Sequence, residues 1–169
     1  MLYSKRAPRE SIVVKGARVL DPATGVDEVL DVRVDDGVIA EVGTVLHPNG
    51  HRIVEGGGLL LAPAFVDPHV HLRTPGREDE ETIASGTAAA AAGGYCAILA
   101  MPNTDPVVDS AATIGSLAET ARVEAAVPVG FLAAITRGQD GAELTEMAEL
   151  ADAAPQGSAT TAIRSSRRA

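Results

Sequence analysis

The sequence predicts an α/β fold, the N-terminal portion of a (β/α)8 barrel of about three βα units, preceded by a small β layer. Three observations carry this reading. Short strands fill residues 11–56 of a β-rich portion spanning 1–56, and Gly56-Gly57-Gly58 then punctuates the chain. From Leu59 onward, strand-like apolar runs and helix-like Ala-rich segments alternate three times, the pattern of parallel βαβ units. No Gly-rich phosphate loop follows the first of these strands, where a dinucleotide-binding sheet would carry one, and this favours a barrel over a doubly wound sheet.

Each element has its own signal. Ser11–Val14 and Ala17–Leu20 read as strands separated by Lys15-Gly16. Val29–Val34 alternates through Asp31 and Arg33, and Asp36-Gly37 turns the chain into Val38–Val42, so the layer is expected to be antiparallel. Leu59–Leu72 is apolar almost throughout, as a strand buried on both faces should be. Glu78–Ala92 predicts a helix ending at Gly93-Gly94. Tyr95–Met101 predicts a buried strand, Ser110–Ala126 a helix and Val127–Ile135 a third strand. Ala142–Ala153 completes the series as a helix with Leu144, Met147, Ala148 and Leu150 on its apolar side. Residues 57–153 thus form the incomplete barrel portion. Residues 154–169 carry no acid, although all 23 acidic residues precede them, and show no periodicity. They are expected to be an aberrant, disordered tail produced by a shifted reading frame.

Composition narrows the function. Apolar residues make up 46% of the 169 and charged residues 22%, a globular balance, and the near absence of aromatic residues leaves Val, Leu, Ile and Ala to build the core. A net charge of −9 argues against a nucleic-acid or anionic-membrane partner. A lone cysteine, Cys96, and no signal-like or membrane-length apolar run point to a cytoplasmic protein.

The chemistry-bearing residues cluster at Asp67-Pro68-His69-Val70-His71-Leu72-Arg73, the end of the first barrel strand. Residues i and i+2 of a strand face the same way, so His69 and His71 converge, and two neutral imidazoles suit a divalent transition metal, most often zinc. Barrel active sites lie at this end of the strands. An ordinary hydrogen-bonded histidine pair is the competing reading. Arg73 can grip a carboxylate with two parallel hydrogen bonds, or simply face solvent. Asn103, in Met101-Pro102-Asn103-Thr104 after the second strand, would stand over the same mouth, although Pro-Asn is also plain turn chemistry. Glu78, Asp79, Glu80 and Glu81 read as first-turn helix carboxylates that favour the helix dipole. Cys96 reads as an inert buried hydrophobe, and His47 and His51 as exposed hairpin residues around Pro48-Asn49-Gly50.

The run APAFVDPHVHLRTPGREDEETIASGTAAAAAGGYCAILAMPNTDPVVDS resembles the first third of bacterial dihydroorotases of the amidohydrolase superfamily. The segment IVVKGARVLDPATGVDEVLDVRVDDGVIAEVG resembles the strands those enzymes place before their barrel, as part of a β-sandwich layer. The resemblance covers residues 11–153. It implies that His69 and His71 bind zinc and that Arg73 and Asn103 hold the substrate carboxylate. The implied reaction is the reversible cyclisation of N-carbamoyl-L-aspartate to dihydroorotate in pyrimidine biosynthesis. Allantoinases and hydantoinases share the two histidines and the Ala-rich helix but lack the arginine and MPNT in this combination. They remain the alternative, together with a non-catalytic scaffold for aspartate transcarbamoylase. A homo-oligomer is also compatible with the resemblance. Ala64 replaces a family glycine, and the remaining metal ligands and catalytic aspartate are expected on later strands, beyond the chain end.

Overall fold

The computed structural model describes residues 1–6 and 9–153; the expected tail, 154–169, lies outside the described residues. The chain divides into two compact units. Ala7–Pro63 is one of them. Met1–Arg6 belongs with the residues from Ala64 on.

The first unit is a five-stranded sheet built on β1 (Ile12–Asp21), β2 (Val26–Asp35), β3 (Val38–Gly43), β4 (Arg52–Glu55) and β5 (Leu60–Leu61). The order is β3-β2-β1-β4, with β5 also on β1. β1 is a single ten-residue strand, not two. It passes through a bulge between Val14 and Ala17. Gly16 there has φ +66°, and the buried Asp31 carboxylate accepts its N–H at 2.8 Å, so the irregularity is pinned from the neighbouring strand. Lys15 Nζ bonds the same carboxylate and also the Leu46 carbonyl at 2.9 Å, while Leu46 N–H donates to Asp31 at 2.8 Å. β1–β2 and β2–β3 are antiparallel, but β4 and β5 run parallel to β1. The layer is therefore mixed, where an antiparallel one was expected. Asp36 and Gly37, at φ +50° and +77°, make the tight hairpin turn that the sequence announces.

Leu59–Leu72 is not one strand. Leu60–Leu61 pairs with β1, which carries the first unit past the triple glycine to Pro63, and a separate strand β6 (Phe65–Val70) opens the second unit. Ala64, between them, is not among the described residues with positive φ, so its backbone does not require the family's glycine.

The second unit is a parallel sheet in the order β6-β7-β8, with β7 at Tyr95–Ala100 and β8 at Val129–Phe131. Helix α1 (Ile83–Ala92) links β6 to β7, α2 (Ala111–Glu124) links β7 to β8, and α3 (Met147–Ala153) follows. In α2, Ile114, Leu117, Ala118 and Ala121 are buried, a single apolar stripe at i, i+3, i+4 and i+7. Ser110 caps it through Thr113 N–H. α1 begins later than the acids suggest. Thr82 and Ser85 form a reciprocal capping box, leaving no acidic residue in the first turn, so Glu78–Glu81 precede the helix instead of opening it. Gly86 lies against Leu72; a Cβ there would stand 2.3 Å from a Leu72 methyl carbon.

Four further expectations change. β8 stops at Phe131, after which Leu132 N–H bonds Ala100 O and Ala134 N–H bonds Val108 O, ending regular pairing. α3 is shorter than expected, and Leu144, ahead of it, is exposed. β6 is an edge strand, so Phe65 and Val66 are exposed at 62% and 58% instead of buried on both faces. Cys96 shares a strand face with buried Ile98 and Ala100 but sits at the open end of β7 and is exposed. On the far edge, Tyr3 pairs with Val129 through two 2.9 Å hydrogen bonds and is itself buried. No helix among the described residues is long and apolar enough to cross a membrane.

Candidate active site at the strand ends

Parallel strands finish at the same end of a sheet, so whatever follows β6 and β7 is brought together there. Met101 N–H donates to Val70 O at 2.9 Å, tying the two strand ends. His69 is the next-to-last residue of β6 and His71 the first beyond it. Their rings lie edge to face with centroids 5.1 Å apart, and both side chains are exposed. Asp67 accepts the His69 backbone N–H at 3.0 Å, where the pairing of β6 with β7 is irregular between Asp67 and Val70.

Asn103, three residues past β7, joins them: its Oδ1 lies 2.7 Å from His71 Nδ1. The Asn103 turn is held by Thr104 and Val108 N–H groups, which both donate to Pro102 O, and by the Thr104 hydroxyl on Pro106 O at 2.8 Å. The two loops are locked to each other as well. Asp105 N–H donates to Pro75 O at 3.1 Å, and Gly76, at φ +101°, is approached so closely that a Cβ would lie 1.8 Å from Asp105 O.

Arg73 is half-buried in the loop after β6, with Nε 3.5 Å from Glu80 Oε2, and Glu80 also pairs with Arg77. Glu78 accepts Gly76 N–H at 2.9 Å. The acids thus organise this loop. Sequence reasoning missed that role, because a pairing across seven loop residues has no periodic signature. It also missed the His71–Asn103 bond, although strand-end logic had put both residues over one mouth.

The donor set suits part of a metal shell. Two imidazoles of the right type converge, yet among the described residues no group of three or more His, Cys, Asp or Glu side chains could hold a metal ion. His47 is exposed as expected. His51 is not: it is half-buried and bonds Asp35 at 2.5 Å. That bond, more than the nearby Arg33, holds the Asp35 carboxyl below the usual carboxylate range. These groups belong to the five-stranded unit.

A family model described as dihydro-orotase-like matches residues 58–162. The dihydroorotase of Geobacter sp. (strain M21) is 45% identical over 144 residues, covering 85% of this chain and 34% of that protein. The dihydroorotase of Solibacter usitatus is 49% identical over 133 residues, 79% of this chain and 31% of its own length. The chain therefore spans about a third of the length of the curated relatives it matches. Among solved structures, a D-hydantoinase superposes with a TM-score of 0.66 at 26% identity, covering 84% of this chain and 29% of its own. The L-hydantoinase of Arthrobacter aurescens gives a TM-score of 0.64 at 22% identity, over 75% of this chain and 28% of its own.

Proposed function

Because the chain belongs to the dihydro-orotase-like family, we propose that it is the N-terminal third of a zinc-dependent dihydroorotase acting in cytoplasmic pyrimidine biosynthesis. Its reaction is the reversible cyclisation of N-carbamoyl-L-aspartate to dihydroorotate. On this reading the three parallel strands and their helices begin a (β/α)8 barrel, and the five-stranded sheet belongs to a β-sandwich layer. The observation that carries the proposal is the identity of 41–49% to proteins named dihydroorotase, and the joined His71 and Asn103 support it.

His69 and His71 would hold the zinc, through ring nitrogens carrying lone pairs. When bound, zinc polarises a carbonyl and makes a water acidic enough to supply hydroxide near neutral pH. The other chain groups bind and orient. Arg73 offers its guanidinium edge to the substrate carboxylate, while Glu80 restrains the Nε side of the same group. Asn103 adds an amide donor from the second loop. The remaining ligands and the proton-carrying aspartate belong to later strands.

A hydantoinase-type activity is the second reading, favoured by the solved structures this fold superposes on. A non-catalytic scaffold that supports aspartate transcarbamoylase would have no need of the intact histidine pair. Assaying the complete gene product on dihydroorotate, hydantoin and allantoin separates these readings. We expect dihydroorotate turnover, with zinc and activity both lost in His69→Ala and His71→Ala and weaker carbamoyl-aspartate binding in Arg73→Lys. Preference for hydantoin, or stoichiometric zinc retained by the double histidine variant, would overturn the proposal.

A further inference from the structure

We propose that Asn103 is a positioning residue for His71, fixing the imidazole tautomer whose Nε2 is free to bind a metal. The inference deepens the dihydroorotase reading and rests on it for the identity of the metal and substrate. Its geometric basis is the 2.7 Å separation of Asn103 Oδ1 and His71 Nδ1. A carbonyl oxygen can only accept, so this bond requires the proton on Nδ1. A neutral imidazole carries one ring proton, and Nε2 is then left with its lone pair.

The opposite arrangement has opposite consequences. If the amide presented Nδ2 to His71, Nδ1 would be the acceptor, the proton would sit on Nε2, and that nitrogen could not bind a metal. The bonds that Thr104 and Val108 make to Pro102 hold the turn carrying Asn103 independently of His71, which keeps the amide within reach of Nδ1. With Oδ1 committed to His71, both hydrogens of Nδ2 remain for an acceptor in the mouth. One amide thereby connects a metal ligand to the substrate carboxylate, and this explains why an amide is wanted there. An aspartate would keep the acceptor for His71 but lose the donor and repel the carboxylate. A leucine would lose both.

The test uses this 169-residue chain with 15N-labelled histidine, without metal, at pH 8, where the ring nitrogens report the tautomer directly by NMR. We expect His71 to be protonated on Nδ1 in the parent chain and in Asn103→Asp, and to lose that preference in Asn103→Leu. Asn103 is exposed, so neither change disturbs the core. Zinc titration of the same samples, followed on the histidine ring signals, should show binding weakened about 10-fold or more in Asn103→Leu. Asn103→Asp should retain binding. An Nε2-protonated His71 in the parent chain, or a tautomer indifferent to Asn103→Leu, overturns the proposal, as does a zinc affinity unchanged by that variant. Turnover of dihydroorotate by the unaltered complete gene product tests the underlying function separately, since it reports the reaction whichever residue orients His71.

Discussion

Gly76 is the point at which the loops after β6 and β7 touch, and replacing it with alanine should damage the site's frame. Two costs follow from the structure. At φ +101° an L side chain sits in a sparsely populated region, which costs about 1–3 kcal/mol. The new Cβ would also lie 1.8 Å from the Asp105 carbonyl oxygen and 2.7 Å from its carbon, backbone atoms that can yield only by separating the loops. Separation breaks the Asp105 N–H to Pro75 O bond, worth about 1 kcal/mol. Together these predict a loss of about 3 kcal/mol. In urea, with a slope of about 1–3 kcal/mol per molar, the midpoint should fall by roughly 1–3 M. Gly115→Ala in α2 is the control. There a Cβ meets nothing within 4 Å, and helix propensity favours alanine by about 1 kcal/mol, so that variant should be neutral or more stable. A Gly76→Ala loss below about 1 kcal/mol would refute the claim that loop contact depends on this glycine.

Two other perturbations address the frame away from the site. Asp31→Ala should cost about 3 kcal/mol in denaturant unfolding, because it strands the half-buried Gly16 N–H, the buried Leu46 N–H and the Lys15 ammonium. The Lys15 hydrogen bond is the largest of the effects lowering the Asp31 pKa, outweighing the opposing effect of burial. A depressed folded-state pKa means the stabilisation is complete above the unfolded carboxyl pKa and is lost as pH falls through the folded one. The parent should therefore weaken on acidification more steeply than Asp31→Asn, and identical acid limbs would contradict this. Tyr3→Ala should destabilise by about 2–4 kcal/mol, removing a buried ring that stacks on Phe131 at 6.3 Å and lies under Arg122 at 4.9 Å. The Val129 amide, which donates to Tyr3 O, should exchange faster in that variant, and unchanged exchange would show that the N-terminal arm does not depend on the ring.

What the sequence made legible was local. The period in α2 and its Ser110 cap, the Asp36-Gly37 hairpin, and the ending of the βα strands at one edge are all properties of a few neighbouring residues. The misreadings have a common physical origin in partners outside the short window that each motif occupies. Lys15-Gly16 looks like a turn until Asp31, on the next strand, converts it into a bulge. The acids at 78–81 look like helix N-terminal residues until Thr82 and Ser85 cap the helix beyond them and Arg73 and Arg77 take Glu80. Within the site, the i, i+2 rule brought His69 and His71 together, and strand-end logic put Asn103 nearby. No local rule could supply the hydrogen bond between residues 32 positions apart.

The run from Leu59 to Leu72 is more apolar than its place in the sheet accounts for. Its composition is that of strand buried on both faces, yet Phe65 and Val66 stand at a sheet edge with more than half their surface in water. The opposite edge is covered at one point: Val129 exchanges both backbone hydrogen bonds with Tyr3. A strand edge has one row of donors and acceptors and can pair with one neighbour at a time. In the barrel proposed above, the strand after β8 needs the row that Tyr3 engages, and β6 needs a neighbour that would bury Phe65 and Val66. The arm and the next strand therefore exclude each other at Val129. In a closed barrel the exchange of the Val129 amide should be governed by that strand and should no longer respond to Tyr3→Ala. Comparing the two exchange rates thus distinguishes an arm that belongs to the finished fold from one that only covers an open edge.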